Sequence, residues 1–152
     1  MKSILFVCLG NICRSPMAEY LFHHTAAKRG LAVSCASAGT SGWHNGEFMH
    51  QGTDRILSEM GIAHNRFVSS SLKNSDFSAY DYLIGMDDDN LRDLTQRYGR
   101  HPDKIFKITD LVGSRPFDHI PDPWYTGDFG QTRDLLLPCC EALADKLTEG
   151  SL

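Results

Sequence analysis

Residues 3–15 read S-I-L-F-V-C-L-G-N-I-C-R-S, an apolar run that gives way abruptly to glycine, asparagine, cysteine, arginine and serine. The first part, 3–9, is apolar and β-branched with no polar alternation, the pattern of a strand covered on both faces in a parallel sheet. A helix-like stretch follows at 16–29, with Pro16 near its first turn and Gly30 just past its end. Strand, tight turn and helix in that order predict the opening unit of an α/β domain.

The alternation continues along the chain. Residues 51–60 read as a helix stopped by Gly61, 82–86 as a second buried strand, and 104–108 as another short one. Asp87 is placed to cap a helix running to Tyr98, with Gly99 as its stop. Residues 130–148 read as a last helix despite Pro138. With no linker, repeat or low-complexity tract, residues 1–152 are expected to form one α/β domain with a parallel sheet and right-handed crossovers.

Ligands of open α/β sheets sit beyond the carboxyl ends of the strands, so residues 8–15 are the first place to look for chemistry. Composition narrows what kind. The 152 residues are 41% hydrophobic and 22% charged, ordinary for a globular domain. A net charge of -4 offers no general attraction to nucleic acid or anionic membranes, so any phosphate binding must be local. The apolar run at the start is broken by Gly10, Asn11 and Arg14 before a signal core could form, which predicts a cytoplasmic protein. Five cysteines, at 8, 13, 35, 139 and 140, then read as reduced thiols rather than a disulfide framework. No cysteine or histidine spacing suggests a zinc site, and neither metal nor cofactor is expected.

Between strand and helix, successive backbone N–H groups of residues 8–15 can curl around one tetrahedral anion. Gly10 and Asn11 are the residue types that accept the left-handed angles such a curl requires. Cys8, at the mouth, would feel the helix N-terminus, the converging amides and Arg14, each of which favours thiolate over thiol. Arg14 can return across the loop to grip two phosphate oxygens at once. Ser15 offers a hydroxyl to the sulfur, which would ease its departure as a leaving group.

The stretch V-C-L-G-N-I-C-R-S-P-M-A-E resembles the signature of the low-molecular-weight protein tyrosine phosphatases. Further pieces of that pattern follow in order: S-A-G-T with Trp43, M-D-x-x-N over 86–90, and D-P-W-Y over 122–125. The resemblance covers nearly the whole chain. It implies a four-stranded parallel sheet flanked by helices in three α/β/α layers, and hydrolysis of phosphotyrosine through a phosphocysteine. It also implies bracing of the loop by Asn11 and Ser37, while the histidine usual in that network has no secure counterpart, His64 included.

Hydrolysis through a phosphocysteine needs a proton for the leaving oxygen and then a base for water, and one carboxyl can serve for both. Asp122 stands between Pro121 and Pro123, in a loop stiff enough to hold it; Asp118 lacks such flanks. The resemblance points to the same residue, as the Asp of a D-P-Y-Y-like motif in which Trp124 replaces the usual tyrosine. The catalytic set is therefore Cys8, Arg14 and Asp122. Substrate is expected to meet Leu9, Gly10, Asn11, Ile12, Cys13 and Ser15 on the loop, and an aromatic slot of Trp43, Trp124 and Tyr125 that favours phosphotyrosine over phosphoserine. Cys13, five residues from Cys8, invites a second role, trapping an oxidised Cys8 as a disulfide.

Rival readings lack pieces. A thiol-linked arsenate reductase would carry further cysteines near 80–100, where there are none. A phosphocysteine carrier of sugar transport would not be expected to combine Arg14, Ser15 and Asp122. The G-x4-G-K-[ST] loop of nucleotide hydrolases is missing. The expected partner is a phosphotyrosine protein or small aryl phosphate, with inorganic phosphate and vanadate as inhibitors. Neither nucleic acid nor membrane is expected, and the chain is read as a monomer with at most weak self-association.

Overall fold

The computed structural model describes residues 1–113 and 117–152. Strand β1 (Lys2–Cys8) carries Ile4, Leu5, Phe6 and Val7, all buried, and their alternation divides them between two layers. Ile4 and Phe6 pack into a large core with Leu21 and Phe22 of helix α1 (Arg14–Lys28) and Leu136 and Leu143 of the C-terminal helix. Leu5 and Val7 face the opposite way, into a smaller core with Leu83, Leu94 and Ile105. A strand covered on both faces is what the unbroken apolar run predicts. Truncating a side chain such as Phe6, whose ring meets Phe22 edge-on, would cost about 3–5 kcal/mol.

Three more strands join in parallel: β2 (Val33–Gly39), β3 (Tyr82–Gly85) and β4 (Ile105–Lys107), in the order β2-β1-β3-β4. In β1 and β2 Cys8 pairs with Gly39, and in β1 and β3 Val7 pairs with Gly85, so three strands end at one level. The order reverses between β1 and β3, which opens a crevice beyond their carboxyl ends. Helix α2 (Gln51–Glu59) lies with α1 on the larger-core side. After the one-turn α3 (Asp76–Ala79), helix α4 (Asp88–Tyr98) covers the other face through Leu94. The four-stranded, three-layer architecture is as expected.

The helix ends follow their sequence signals. Asp87 accepts from Asn90 N at 2.8 Å, and Gly99, at φ 92°, closes α4. Helix α5 (Pro123–Thr126) is a single turn, and α6 (Phe129–Glu149) runs 21 residues through Pro138. Two boundaries differ. Helix α1 begins at Arg14, so Pro16 falls within its first turn, and the strand expected over 104–108 yields at Ile108–Leu111 to a 3₁₀ turn. Strand β2 has no large apolar run to announce it: V-S-C-A-S-A-G is built of small residues. One reason lies at its end, where a Cβ on Gly39 would come within 2.9 Å of the Leu9 carbonyl oxygen. Among the described residues no helix is long and apolar enough to cross a membrane.

Candidate active site

The loop after β1 is held from outside by its carbonyls. Leu9 O accepts from Ser41 N and Ser41 Oγ, both at 2.9 Å, and Gly10 O from Ser69 Oγ at 3.3 Å. Ile12 O accepts from His50 N and Cys13 O from Thr53 Oγ1, again at 2.9 Å. In a trans peptide the C=O of one residue and the N–H of the next point opposite ways, and no peptide here is cis. The N–H groups of Gly10, Asn11, Cys13 and Arg14 therefore face the interior of the curl. Asn11, at φ 54°, is the one non-glycine residue in the left-handed region among those described. Its side chain bridges the curl, donating from Nδ2 to Ser15 Oγ and Ser37 Oγ and accepting at Oδ1 from Ser70 N, each at 2.9 Å.

Cys8 Sγ lies 3.0 Å from Ser15 Oγ and 3.4 Å from Ser15 N, both able to donate to a thiolate. Arg14 is almost wholly buried, and Nη1 donates to Asp87 Oδ2 at 2.6 Å and to Ile120 O at 2.9 Å. Nη2 lies 3.4 Å from Asp122 Oδ2. Burial pulls this guanidinium down, but negative charge at Cys8, Asp87 and Asp122 outweighs it and holds Arg14 above its ordinary value. Asp122 caps α5, its Oδ1 accepting from Trp124 N at 3.0 Å. Its loop is tied to the sheet by Ile120 N on Met86 O at 2.9 Å. The competing Asp118 pairs with His119 at 2.8 Å, and that bond lowers its carboxyl; it lines none of the cleft.

A cleft of about 210 Å³ joins these pieces. It is lined by Cys8, Leu9, Gly10, Ile12, Cys13, Arg14, Trp43, Asp122, Trp124 and Tyr125, every expected site residue except Asn11 and Ser15. Those two have buried side chains beneath the loop. Trp43 (74% exposed), Trp124 (54%) and Tyr125 (78%) form an open rim rather than the walls of a deep slot. Cys13 faces the same cleft as Cys8, and burial, with charge at Cys8 and Asp122, pushes its thiol up against the opposing pull of Arg14.

Sequence reasoning missed two contributors. His44 lines the cleft, with its ring 5.8 Å from Trp124 and Nδ1 3.1 Å from Glu47 Oε2. Nothing but its place beside Trp43 sets it apart from six other histidines. Asp87, read as a helix cap and as part of the M-D-x-x-N piece, also anchors Arg14. His64 bonds Asp54 Oδ1 and Ile62 O, so it takes no part in bracing Asn11. Cys139 and Cys140 are buried in α6, and Cys35 donates to Glu19 O at 3.4 Å. Among the described residues no cluster of histidine, cysteine or carboxylate could hold a metal.

Comparison with known proteins identifies the family. The family model for low molecular weight phosphotyrosine protein phosphatase matches residues 3–151. The low molecular weight protein-tyrosine-phosphatase YfkJ of Bacillus subtilis is 41% identical over 146 residues, 94% of each chain. Its crystal structure superposes with a TM-score of 0.96 at 39% identity, covering 100% of this chain and 98% of that one. A protein tyrosine phosphatase from Entamoeba histolytica gives 0.92 at 35% identity, with both chains fully covered. The arginine phosphatase YwlE, from Bacillus subtilis, gives 0.87 at 32%, covering 96% and 95%. A loop that turns its amides inward around a cysteine and an arginine, carried on this sheet and matched along almost its whole length, places the chain in the low molecular weight phosphotyrosine protein phosphatase family.

Proposed function

We propose that the chain hydrolyses phosphotyrosine and related aryl phosphate monoesters through a phosphocysteine on Cys8. The observation that carries this is the meeting, in one cleft, of a cysteine sulfur, inward-facing amides, a buried arginine and a carboxyl within reach of that arginine. The Cys8 thiolate attacks phosphorus in line, forming S–P as P–O breaks, while Asp122 gives its proton to the departing phenolate. Asp122 then takes a proton from water as that water attacks phosphorus, and the S–P bond breaks to return the thiolate. The Ser15 hydroxyl, 3.0 Å from the sulfur, stabilises it as it leaves.

Arg14 supports the same reading by its donor count. A guanidinium has five N–H donors, and Asp87 with Ile120 O engages the two of Nη1. The Nε and Nη2 edge, on which Nη2 makes only the longer 3.4 Å bond to Asp122 Oδ2, is the side of the fork suited to two phosphate oxygens, and charge developing on the equatorial oxygens meets it together with the loop amides. The five cysteines, none of them in a disulfide among the described residues, suit a reducing, cytoplasmic setting. Cys13 lines the same cleft as Cys8, and the proposal extends to its condensing with a Cys8 sulfenic acid formed by peroxide, which releases water and gives a disulfide that thiols can reduce.

Because a structural neighbour is an arginine phosphatase, phosphoarginine is the second substrate to weigh. A guanidino leaving group presents several N–H donors, whereas Leu9, Ile12, Trp43, Trp124 and Tyr125 give the cleft an apolar and aromatic character that suits a phenyl ring. The test is a metal-free assay of wild type and Cys8→Ser on p-nitrophenyl phosphate, a phosphotyrosine peptide and a phosphoarginine peptide. Wild type is expected to prefer phosphotyrosine, and Cys8→Ser to fall by at least about three orders of magnitude. Faster release from phosphoarginine would overturn the substrate assignment, and an active Cys8→Ser the mechanism. Arsenate with a thioredoxin system, run alongside, should give no reduction.

A further inference from the structure

Behind the phosphate loop lies a carboxyl with no part in the chemistry just set out. Glu19, in the second turn of α1, accepts from Ser37 Oγ of β2 at 2.6 Å. From there hydrogen bonds run without a break. Asn11 Nδ2 donates to Ser37 Oγ and to Ser15 Oγ, each at 2.9 Å, and Ser15 Oγ stands 3.0 Å from Cys8 Sγ. Four bonds thus join a partly buried carboxyl to the candidate nucleophile.

Counting hydrogens gives this chain a direction. A carboxylate and a thiolate only accept, each serine hydroxyl has one hydrogen, and an amide nitrogen has two. Ser70 N, donating to Asn11 Oδ1 at 2.9 Å, fixes which end of the amide faces the serines. Asn11 therefore places one hydrogen on each serine. Each serine hydrogen is then directed outward, that of Ser37 onto Glu19 and that of Ser15 onto Cys8. Protonating Glu19 turns it into a donor and removes the charged acceptor that orients Ser37.

We infer that Glu19 is a positioning residue for the nucleophile: its carboxylate orients Ser37 and Asn11, and through them holds the Ser15 hydroxyl as a donor to Cys8 Sγ. This role rests on the phosphocysteine reading and adds control of the sulfur from the far side of the loop, by a group that never meets substrate. Burial raises the Glu19 carboxyl to about 7, and the Ser37 bond offsets only part of that. The ionisable groups that feel it are Tyr20 beside it on α1, Cys35 on β2, and Tyr80, which follows α3 and also feels Asp76. Burial first, then negative charge, holds those two phenols and the thiol above their ordinary values. They are neutral near pH 7, so Glu19 changes charge there without compensation from them.

The experiment compares wild type, Glu19→Gln and Ser37→Ala by two readouts across pH. One is kcat and KM on p-nitrophenyl phosphate; the other is the rate of Cys8 alkylation by iodoacetamide, followed by peptide mass spectrometry, which needs no turnover. Glutamine mimics the protonated carboxyl, so Glu19→Gln should match wild type at low pH. Above neutrality its kcat should be lower by about fivefold, the rate equivalent of one net hydrogen bond, with KM within about twofold. Its alkylation profile should lose a step near the Glu19 titration, as should that of Ser37→Ala, which breaks the same chain one link further in. A wild-type to Glu19→Gln ratio constant with pH, or an alkylation step retained in Ser37→Ala, would overturn the role. Absence of turnover in wild type would end the phosphatase reading instead, while the alkylation profiles would still decide this one.

Discussion

The floor and the rim of the cleft are built on opposite terms. On the floor Asn11 and Ser15 are fully buried, Arg14 and Cys8 nearly so, and each of these side chains has a hydrogen-bond partner in the protein. On the rim Trp43, Trp124 and Tyr125 are more than half exposed, and the contacts around Trp124 are ring to ring, with His44 and His50. Directional bonds fix a geometry in advance, as stabilisation of transition-state charge requires. Exposed aromatic surface gives area and little direction. On the proposed mechanism the difference would put rate on the floor and substrate choice on the rim.

Variants can break that division, and the largest effects belong to the floor. Arg14→Ala should lower kcat on every phosphate ester by roughly three orders of magnitude, and phosphate or vanadate should no longer shield Cys8 from alkylation. A loss confined to KM would move Arg14 to the rim's kind of role. Next, Asp122→Ala should slow turnover about a hundredfold for esters with poor leaving groups and far less for p-nitrophenyl phosphate. Equal losses across a leaving-group series would remove its assignment as the acid.

Rim variants should be milder and selective. Trp124→Ala is expected to reduce kcat/KM for a phosphotyrosine peptide by roughly fivefold to tenfold, from one or two lost aromatic contacts, with phosphate inhibition unchanged. A fall in kcat as deep as that of Asp122→Ala would show that the rim also holds the floor in place. The last expected effect concerns stability rather than rate. Glu19 has a raised value in the fold, so its contribution is fully present below the reference of 4.5 and is lost as pH rises through about 7. Denaturant unfolding at alkaline pH should therefore find Glu19→Gln more stable than wild type by about 2 kcal/mol, and the gap should close in acid.

Sequence made the floor legible and left much of the rim obscure. The apolar run of β1, the Gly10–Asn11 pair, Cys8 and Arg14 on one loop and the prolines around Asp122 are local signals, and the structure brings Cys8, Gly10, Arg14 and Asp122 to one cleft. What escaped depends on distance along the chain. Asp87 meets Arg14 across 73 positions and Glu19 meets Ser37 across 18, pairings that exist only once parallel strands bring their ends level. Strand β2 escaped for a different reason. Its small residues suit close backbone packing against the loop, the opposite of the bulky, β-branched run that marks a strand. The openness of the rim was also unreadable, since an aromatic residue in a loop has the same letter whether it is covered or not.

Asp87 serves two structures with its two oxygens, one closing the first turn of α4 and the other holding Arg14. Fraying of that turn and misalignment of the guanidinium are consequently a single event. Heat or denaturant that loosens the start of α4 would switch the enzyme off while its hydrophobic layers are still intact, so inactivation would run ahead of melting.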